Sequence, residues 1–332
     1  MPPRRGESES VIHIAVVVVT YRRREGLANL LKHLELQQCH DPARRFRLTA
    51  VVIDNDGAGS AAVGIEPFRS SAALGMRYAV EPVQGIPFAR NAGIAAVPGD
   101  AEFMCFIDDD EWPGPTWIDE LVRTQRATGA DCVHGAVIPV YPDAAPAWIV
   151  KSRIFESWRF ADQAPLTAAA SNNVLISTEF LRRSGHRFEE RMRMTGGSDY
   201  LFFKQAVALG MRIVWSARAP VYEDVPLSRL TLRWIVQRQF RLGNTFSVSE
   251  RIAGSRLGLV KWALKGTLRI GLGIAMSPAL LVSPYYGMRA MVHVFRGVGT
   301  VAGVFGHAHQ EYSQRGLAQD RSGETVQERP ES

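Results

Sequence analysis

A chain of 332 residues, 46% hydrophobic and 22% charged, can bury a sizeable core and is too apolar for its bulk to be disordered. Its three cysteines, Cys39, Cys105 and Cys132, form no C-x-x-C pair and lie in or near apolar runs, so they read as reduced core thiols and no zinc site is visible. The net charge of +6 is localised: residues 251–310 hold seven cations (Arg251, Arg256, Lys261, Lys265, Arg269, Arg289, Arg296) and no Asp or Glu, which leaves the rest of the chain near −1.

Residues 1–10 carry two arginines and two glutamates without an apolar core, so they read as a disordered start and not as an export signal. From Val11 to about residue 140, β-rich apolar runs alternate with helical patterns: VIHIAVVVV then EGLANLLKHLELQ; LTAVVI then a Gly/Ala-rich turn; MRYAV then IPFARNAGIAA; EFMCFI then PTWIDELVRTQRA; and CVHGAVIPVY. That order predicts an α/β fold, a mostly parallel sheet with helices on both faces. Ligands of such sheets bind at the carboxyl ends of the strands.

Residues 141–225 are less regular. ASNNVLIS predicts a strand, FLRRSG the end of a helix, GGSDYLFFKQAVALG a loop opening a helix, and MRIVWS and APVYEDV two short strands. A helix is expected through LSRLTLRWIVQRQFRLG, where Arg229, Arg233, Gln237 and Arg241 recur on one face. Beyond Gly254 the chain becomes apolar and Gly-rich with scattered cations, and the polar tail from about 311 reads as disordered.

Three strand ends carry polar residues: Thr20-Tyr21, Asp54-Asn55-Asp56, and the run Asp108-Asp109-Asp110-Glu111. Acids ahead of a helix interact favourably with its dipole, but a cap needs one carboxylate, whereas a divalent ion that also binds a diphosphate needs hard oxygen ligands on a short turn. Asp54 reads equally as a turn former. Arg90 is either a solvated helix residue or a planar cation facing phosphates. Asp199, after Gly196-Gly197-Ser198, is either an N-cap or a general base towards a sugar hydroxyl.

In this order VVVTYRR, VVIDND, GIPFARNAGI, FIDDDEWP, NNVLIS and GGSDYLFF resemble the inverting family 2 glycosyltransferases of the type-A, Rossmann-like nucleotide-binding fold, over roughly residues 11–245. The resemblance divides that span into a nucleotide-sugar-binding half, 11–140, and an acceptor-binding half, 141–245. It implies that Thr20, Tyr21, Arg23 and Asp54 hold the base and ribose of a nucleotide-sugar donor, with Arg90 beside them. Asp108 and Asp110 match the D-x-D motif, Asp110 for the metal and Asp108 or Asp109 for the ribose, and Asp199 matches the base that activates the acceptor. A divalent cation, Mg²⁺ or Mn²⁺, is implied as cofactor, and Arg238 and Arg241 as phosphate or acceptor contacts. The sequence departs from the pattern at Arg22, where the family usually has Asn, at Asn55-Asp56 in place of Asp-Gly, and at Ser198 in place of Glu. QRQFR lacks the Q-x-x-R-W of processive synthases, so transfer of a single sugar is expected, from a UDP-sugar to a saccharide or lipid-linked acceptor in surface-polysaccharide synthesis.

Residues 270–288 are uncharged but interrupted by Pro278 and Pro284, with Arg269 and Arg289 flanking them. That pattern predicts a broken or re-entrant hairpin within a helical, membrane-associated segment, 250–310, at the cytoplasmic face of the inner (plasma) membrane. The ending GVGTVAGVFGHAHQEY resembles the tail of membrane-associated family members. Nucleic acid is not expected as a partner, because the cations are not interleaved with stacking aromatics. Two rivals stand beside the transferase: a catalytically silent nucleotide-sugar-binding scaffold, for which a retained base has no purpose, and a metal-dependent nucleotidyltransferase, for which the first strand lacks a Gly-rich phosphate loop.

Overall fold

The computed structural model describes residues 11–40, 45–156, 159–193, 195–281 and 283–307; the ends expected to be disordered, 1–10 and 311–332, lie outside them. In chain order the elements are β1 (Ile12–Thr20), α1 (Arg24–Glu35), β2 (Phe46–Asp54), α2 (Ala62–Ile65), β3 (Leu74–Val80), α3 (Ile86–Ala96), β4 (Phe103–Ile107), β5 (Glu111–Pro113), α4 (Trp117–Thr128), β6 (Cys132–Val140), α5 (Ala147–Ser152), β7 (Pro165–Leu166), β8 (Asn173–Ser177), α6 (Thr178–Ser184), α7 (Ser198–Ala208), β9 (Ile213–Asp224), α8 (Leu232–Ile252), α9 (Arg256–Met276) and α10 (Pro284–Val304). They group into two compact units, the first comprising residues up to Val140, Glu156–Glu190 and Phe202–Asp224, the second Tyr141–Phe155, Arg191–Leu201 and the chain from Val225.

The first unit holds one sheet in the order β3-β2-β1-β4-β8-β6-β9-β5, with β7 beside β9. β1 pairs in parallel with β2 and β4, β2 with β3, and β6 with β9, but β8 runs antiparallel to both β4 and β6, and β5 and β7 run antiparallel to β9. The sheet is therefore mixed, and the mostly parallel arrangement expected from the sequence is corrected. The reason is physical: an apolar run buries equally well beside a parallel or an antiparallel neighbour, because side-chain pattern records burial and not hydrogen-bond direction.

Helices do cover both faces. Along β1, Ile14, Val16 and Val18 face one core with Leu27, Leu30 and Leu31 of α1 and Trp117, Ile118 and Leu121 of α4. Ala15 and Val17 face the other, with Ala89 and Ile94 of α3, Phe180 of α6 and Phe202 and Phe203 of α7. The alternation is the period-two geometry of a strand buried on both sides. α1 buries Leu27, Leu30, Leu31 and Leu34, the one-sided helical spacing that makes it dock.

The two short strands expected in MRIVWS and APVYEDV form one strand, β9. Its register against β6 shifts between Gly135 and Val137, where Ala217 and Arg218 bulge outward. Gly135 is required there by close approach: a Cβ would lie 2.3 Å from the Ala219 carbonyl and 2.4 Å from Asn173 Nδ2.

In the second unit α8, α9 and α10 pack on one another, and Ile149, Val225, Leu230, Ile235 and Met288 form its core. Ser247 Oγ donates to the Thr300 carbonyl at 2.8 Å and Asn244 Nδ2 to the Gly299 carbonyl at 3.2 Å, so buried polar groups join α8 to α10. The helix expected to stop near Gly243 continues to Ile252, and Arg229 lies before it in a 3₁₀ turn, Leu227–Arg229. The break expected within 270–288 falls at its prolines: α9 ends at Met276, Pro278 lies in the turn Ser277–Leu281, and Pro284 opens α10. Among the described residues no helix is long and apolar enough to cross a membrane.

Candidate active site

The acidic run after β4 divides its labour. Glu111 donates its backbone N–H to the Asp108 carbonyl at 3.2 Å, closing a tight turn with Asp109 and Asp110 at its centre. The Glu111 side chain belongs to β5 and is buried. It accepts from the Asp108 N–H at 3.2 Å and from Asn172 Nδ2 at 3.0 Å, and burial drives its carboxyl well above the usual range. Glu111 thus pins the turn.

Asp109 points inward, with 7% of its side chain exposed against 45% for Asp108 and 33% for Asp110. Its carboxylate accepts from Thr20 Oγ1 at 2.7 Å and from Arg23 Nη1 at 3.1 Å, and the same Arg23 nitrogen lies 2.7 Å from Asp110. Burial pushes the Asp109 carboxyl up to about 6, with Asp110 adding to the shift and Arg23 and Thr20 opposing it. Gly26 in the first turn of α1 lets that helix abut the turn, since a Cβ there would come within 2.5 Å of the Asp109 carbonyl. Asp108 and Asp110 are left facing outward from a turn fixed on three sides.

At the end of β2, Asp54 is fully buried and accepts from the backbone N–H groups of Asp56 (3.0 Å) and Ala61 (2.6 Å) and from Tyr78 Oη (3.1 Å). It organises the loop that follows. Arg22 adopts φ 57°, a left-handed conformation that Asn tolerates better than Arg, and its Nε donates to Asp56 at 2.7 Å. That hydrogen bond holds the Asp56 carboxyl below the usual range. The half-buried Tyr21 ring carries the Arg22 guanidinium 5.1 Å from its centre. Asn55 donates to the carbonyls of Glu81 and Val83 and accepts from the Gly85 N–H, which joins the β2 loop to the start of α3.

Arg90 on α3 is 7% exposed, lies 3.9 Å from Asp108, and has the Phe188 ring 5.4 Å from its guanidinium carbon. Neighbouring Asn91 exchanges hydrogen bonds with the Phe188 backbone and donates to Glu190 at 3.2 Å. Thr20, Arg23, Arg90, Asp108, Asp109 and Asp110 are therefore brought together at the carboxyl ends of β1 and β4, with Tyr21 and Asp54 on the adjoining loops. Sequence reasoning missed the Arg22–Asp56 pair, Tyr78 on Asp54, and Phe188 beneath Arg90. Only Arg22 carried a local signal, a bulky cation where a left-handed residue is wanted.

Asp199, Arg238 and Arg241 belong to the second unit. Asp199 lies in the first turn of α7, with Ser198 Oγ donating to it at 3.4 Å. Next to it Tyr200 donates to the buried Glu250 at 3.3 Å and packs edge-on to Phe246. Gly197 has φ +97° and a Cβ there would meet Thr245 Cγ2 at 2.2 Å, so only glycine serves at the entry to α7. Arg238 lies over the rings of Phe155 and Trp234, and Arg241 and Arg229 also approach Trp234. Of the expected stripe, Arg233, Gln237 and Arg241 do follow one another at four-residue spacing on α8, whereas Arg229 lies before the helix, and Arg229, Arg238 and Arg241 gather about Trp234.

Among the described residues no three His, Cys, Asp or Glu side chains are grouped to hold a metal ion. Mg²⁺ and Mn²⁺ make a smaller demand, one or two carboxylates with phosphate oxygens and water completing the shell. The outward-facing Asp108 and Asp110 fit that donor set.

The family model for Glycosyl transferase family 2 matches residues 15–186, more than half of the chain and the whole of this turn and its supports. The chain is 31% identical over 305 residues to the succinoglycan biosynthesis protein ExoM of Rhizobium meliloti (strain 1021), covering 89% of this chain and 94% of ExoM. Solved structures share the fold at low identity. The mannosyltransferase PcManGT of Pyrobaculum calidifontis, in complex with GDP-Man and Mn²⁺, superposes with a TM-score of 0.56 at 16% identity, covering 88% of this chain and 87% of that one. Residues 1–349 of S. aureus TarS, in complex with UDP, give 0.50 at 15% identity over 89% and 92% of the two chains. The chain spans 55% of the longer TarS chain. Sequence match, relative and fold agree: the chain belongs to glycosyl transferase family 2.

Proposed function

We propose that the enzyme moves one sugar, with inversion, from a UDP-sugar to a hydroxyl of a saccharide or lipid-linked acceptor during surface-polysaccharide assembly at the cytoplasmic side of the plasma membrane. The observation that carries this reading is the turn Asp108–Glu111, in which Asp109 and Glu111 hold the backbone while Asp108 and Asp110 face outward. The relationship to a succinoglycan biosynthesis protein supports the polysaccharide assignment, and the nucleotide complexes of TarS and PcManGT support the donor class.

Asp110, with Asp108 beside it, would hold Mg²⁺ or Mn²⁺, which when bound supplies positive charge against the diphosphate leaving group. Asp108, not the inward-turned Asp109, contacts the ribose. Tyr21 packs on the base, while Thr20 and Asp54 shape the two loops on which it rests. Arg23 and Arg90 set the charge around the phosphates. Asp199 takes the proton from the acceptor hydroxyl as it attacks the anomeric carbon from the face opposite the leaving group. Arg238 and Arg241 bind acceptor phosphate.

Calorimetric titration of the full chain with UDP, GDP and other nucleoside diphosphates, with and without Mn²⁺, tests the reading. Binding of UDP that requires Mn²⁺ and disappears in Asp110→Ala is expected. Absence of binding to any nucleotide under both conditions would overturn it.

A further inference from the structure

α9 is built inside out for a soluble helix. Its buried residues are Gly266 and Gly273, against α10: a Cβ on Gly273 would lie 2.6 Å from the Ala290 carbonyl, and one on Gly266 3.0 Å from Val301 Cγ2. The large apolar residues face away. Leu257 is 86% exposed, Val260 59%, Leu264 62%, Leu268 72% and Leu272 48%. At about 3.6 residues per turn these five lie on one face of a helix about 31 Å long. In the turn that follows, Leu281 is 93% exposed. A continuous apolar strip of this kind on a water-soluble surface marks an interaction site.

Charge identifies the occupant. Lys261 and Lys265 lie on and beside the leucine face, both exposed, Arg256 is exposed at the start of the helix, and residues 251–310 contain no acid. A second copy of the chain docking by the same face would set these cations against each other. An anionic bilayer surface satisfies both features, because lysines reach the headgroups while leucines enter the acyl boundary.

We infer that α9 lies flat on an anionic membrane surface, with Leu257, Leu264, Leu268 and Leu272 inserted and Lys261 and Lys265 on lipid headgroups. Within the segment 250–310 expected at the membrane, the contact then falls on the outer face of α9. This inference does not rest on the transferase reading, since it needs neither donor nor acceptor.

Flotation of the full chain with phosphatidylcholine vesicles, with and without phosphatidylglycerol, tests it. Wild type is expected to float with the anionic vesicles and not with the neutral ones. Lys261→Gln with Lys265→Gln should lower the partition coefficient roughly thirtyfold, at about one headgroup interaction per lysine. Leu264→Ser with Leu268→Ser should lower it roughly tenfold or more, with the circular dichroism spectrum and the urea unfolding midpoint unchanged. No flotation, or equal flotation of wild type and both variants, would overturn the inference. So would a concentration-dependent dimer in light scattering that Leu264→Ser with Leu268→Ser abolishes, because the face would then belong to a second copy.

Discussion

Thr20 and Asp109 are joined by a hydrogen bond of 2.7 Å across 89 residues of sequence, the hydroxyl that ends β1 donating to the carboxylate inside the turn after β4. One strand end thus fixes the loop of its parallel neighbour. Replacing the hydroxyl by a methyl group in Thr20→Val should cost about 1.5 to 3 kcal/mol in urea unfolding, the range for a bond to a charged group. Thr20→Ser should stay near wild type. Equal stability of the Val and wild-type proteins would show that Arg23 alone holds Asp109.

Asp54 holds the β2 loop through two backbone donors and Tyr78. Asp54→Ala would leave all three without an acceptor in a buried site, so a loss of about 3 kcal/mol or more is expected. Tyr78→Phe removes one bond and should cost about 1 kcal/mol. If Asp54 served only the nucleotide, both variants would unfold at the wild-type urea midpoint while losing UDP affinity.

The outward-facing acids and Asp199 should separate kinetically. Asp199→Asn is expected to lower kcat by about 10² to 10⁴, the span of general-base removal, with calorimetric UDP affinity unchanged. Asp110→Ala should instead lose the Mn²⁺-dependent part of UDP binding. Its unfolding midpoint should move little, because a third of the side chain is exposed.

Gly197 combines a left-handed φ of +97° with a Cβ position 2.2 Å from Thr245 Cγ2. Gly197→Ala should therefore destabilise by about 2 kcal/mol or more from backbone strain and overlap together. Adding Thr245→Ser, which removes the offending methyl, should recover the overlap and leave the strain. No recovery in the double variant would place the whole cost in the backbone.

His186 is buried, its Nε2 2.9 Å from the Phe202 carbonyl, and burial lowers its pKa from the ordinary 6.5. Folding therefore weakens proton binding, so acid favours the unfolded chain. The contribution is complete above pH 6.5 and is lost as pH falls below it, which urea midpoints between pH 8 and 5 will register. His186→Leu should be less stable at pH 8 and show a shallower pH slope; an unchanged slope would assign the acid sensitivity to other groups.

Local pattern and tertiary pairing can be told apart element by element. FMCFI and IPFARNAGIAA begin and end β4 and α3 as the sequence reads, because an unbroken apolar run and a Gly-Ile-Pro start followed by helical spacing are properties of neighbouring residues. MRIVWS and APVYEDV misled because a bulge, seen along the chain, looks like a gap between strands. The arginine stripe holds for Arg233, Gln237 and Arg241 but not for Arg229, because the helix starts only at Leu232 and Arg229 approaches Trp234 from the turn before it.

By itself the sequence determined the alternating strands and helices up to about residue 140, that helices cover both faces of the sheet, and that the acidic run stands at a strand's carboxyl end, since burial periodicity and turn chemistry are written in adjacent side chains. Only the tertiary structure decided the direction of β8, the support of Arg90 by Phe188, and which of four consecutive acids turn inward. Those outcomes depend on hydrogen bonds and packing between residues far apart in the chain, as between Thr20 and Asp109 or Asn172 and Glu111, and no local pattern encodes them.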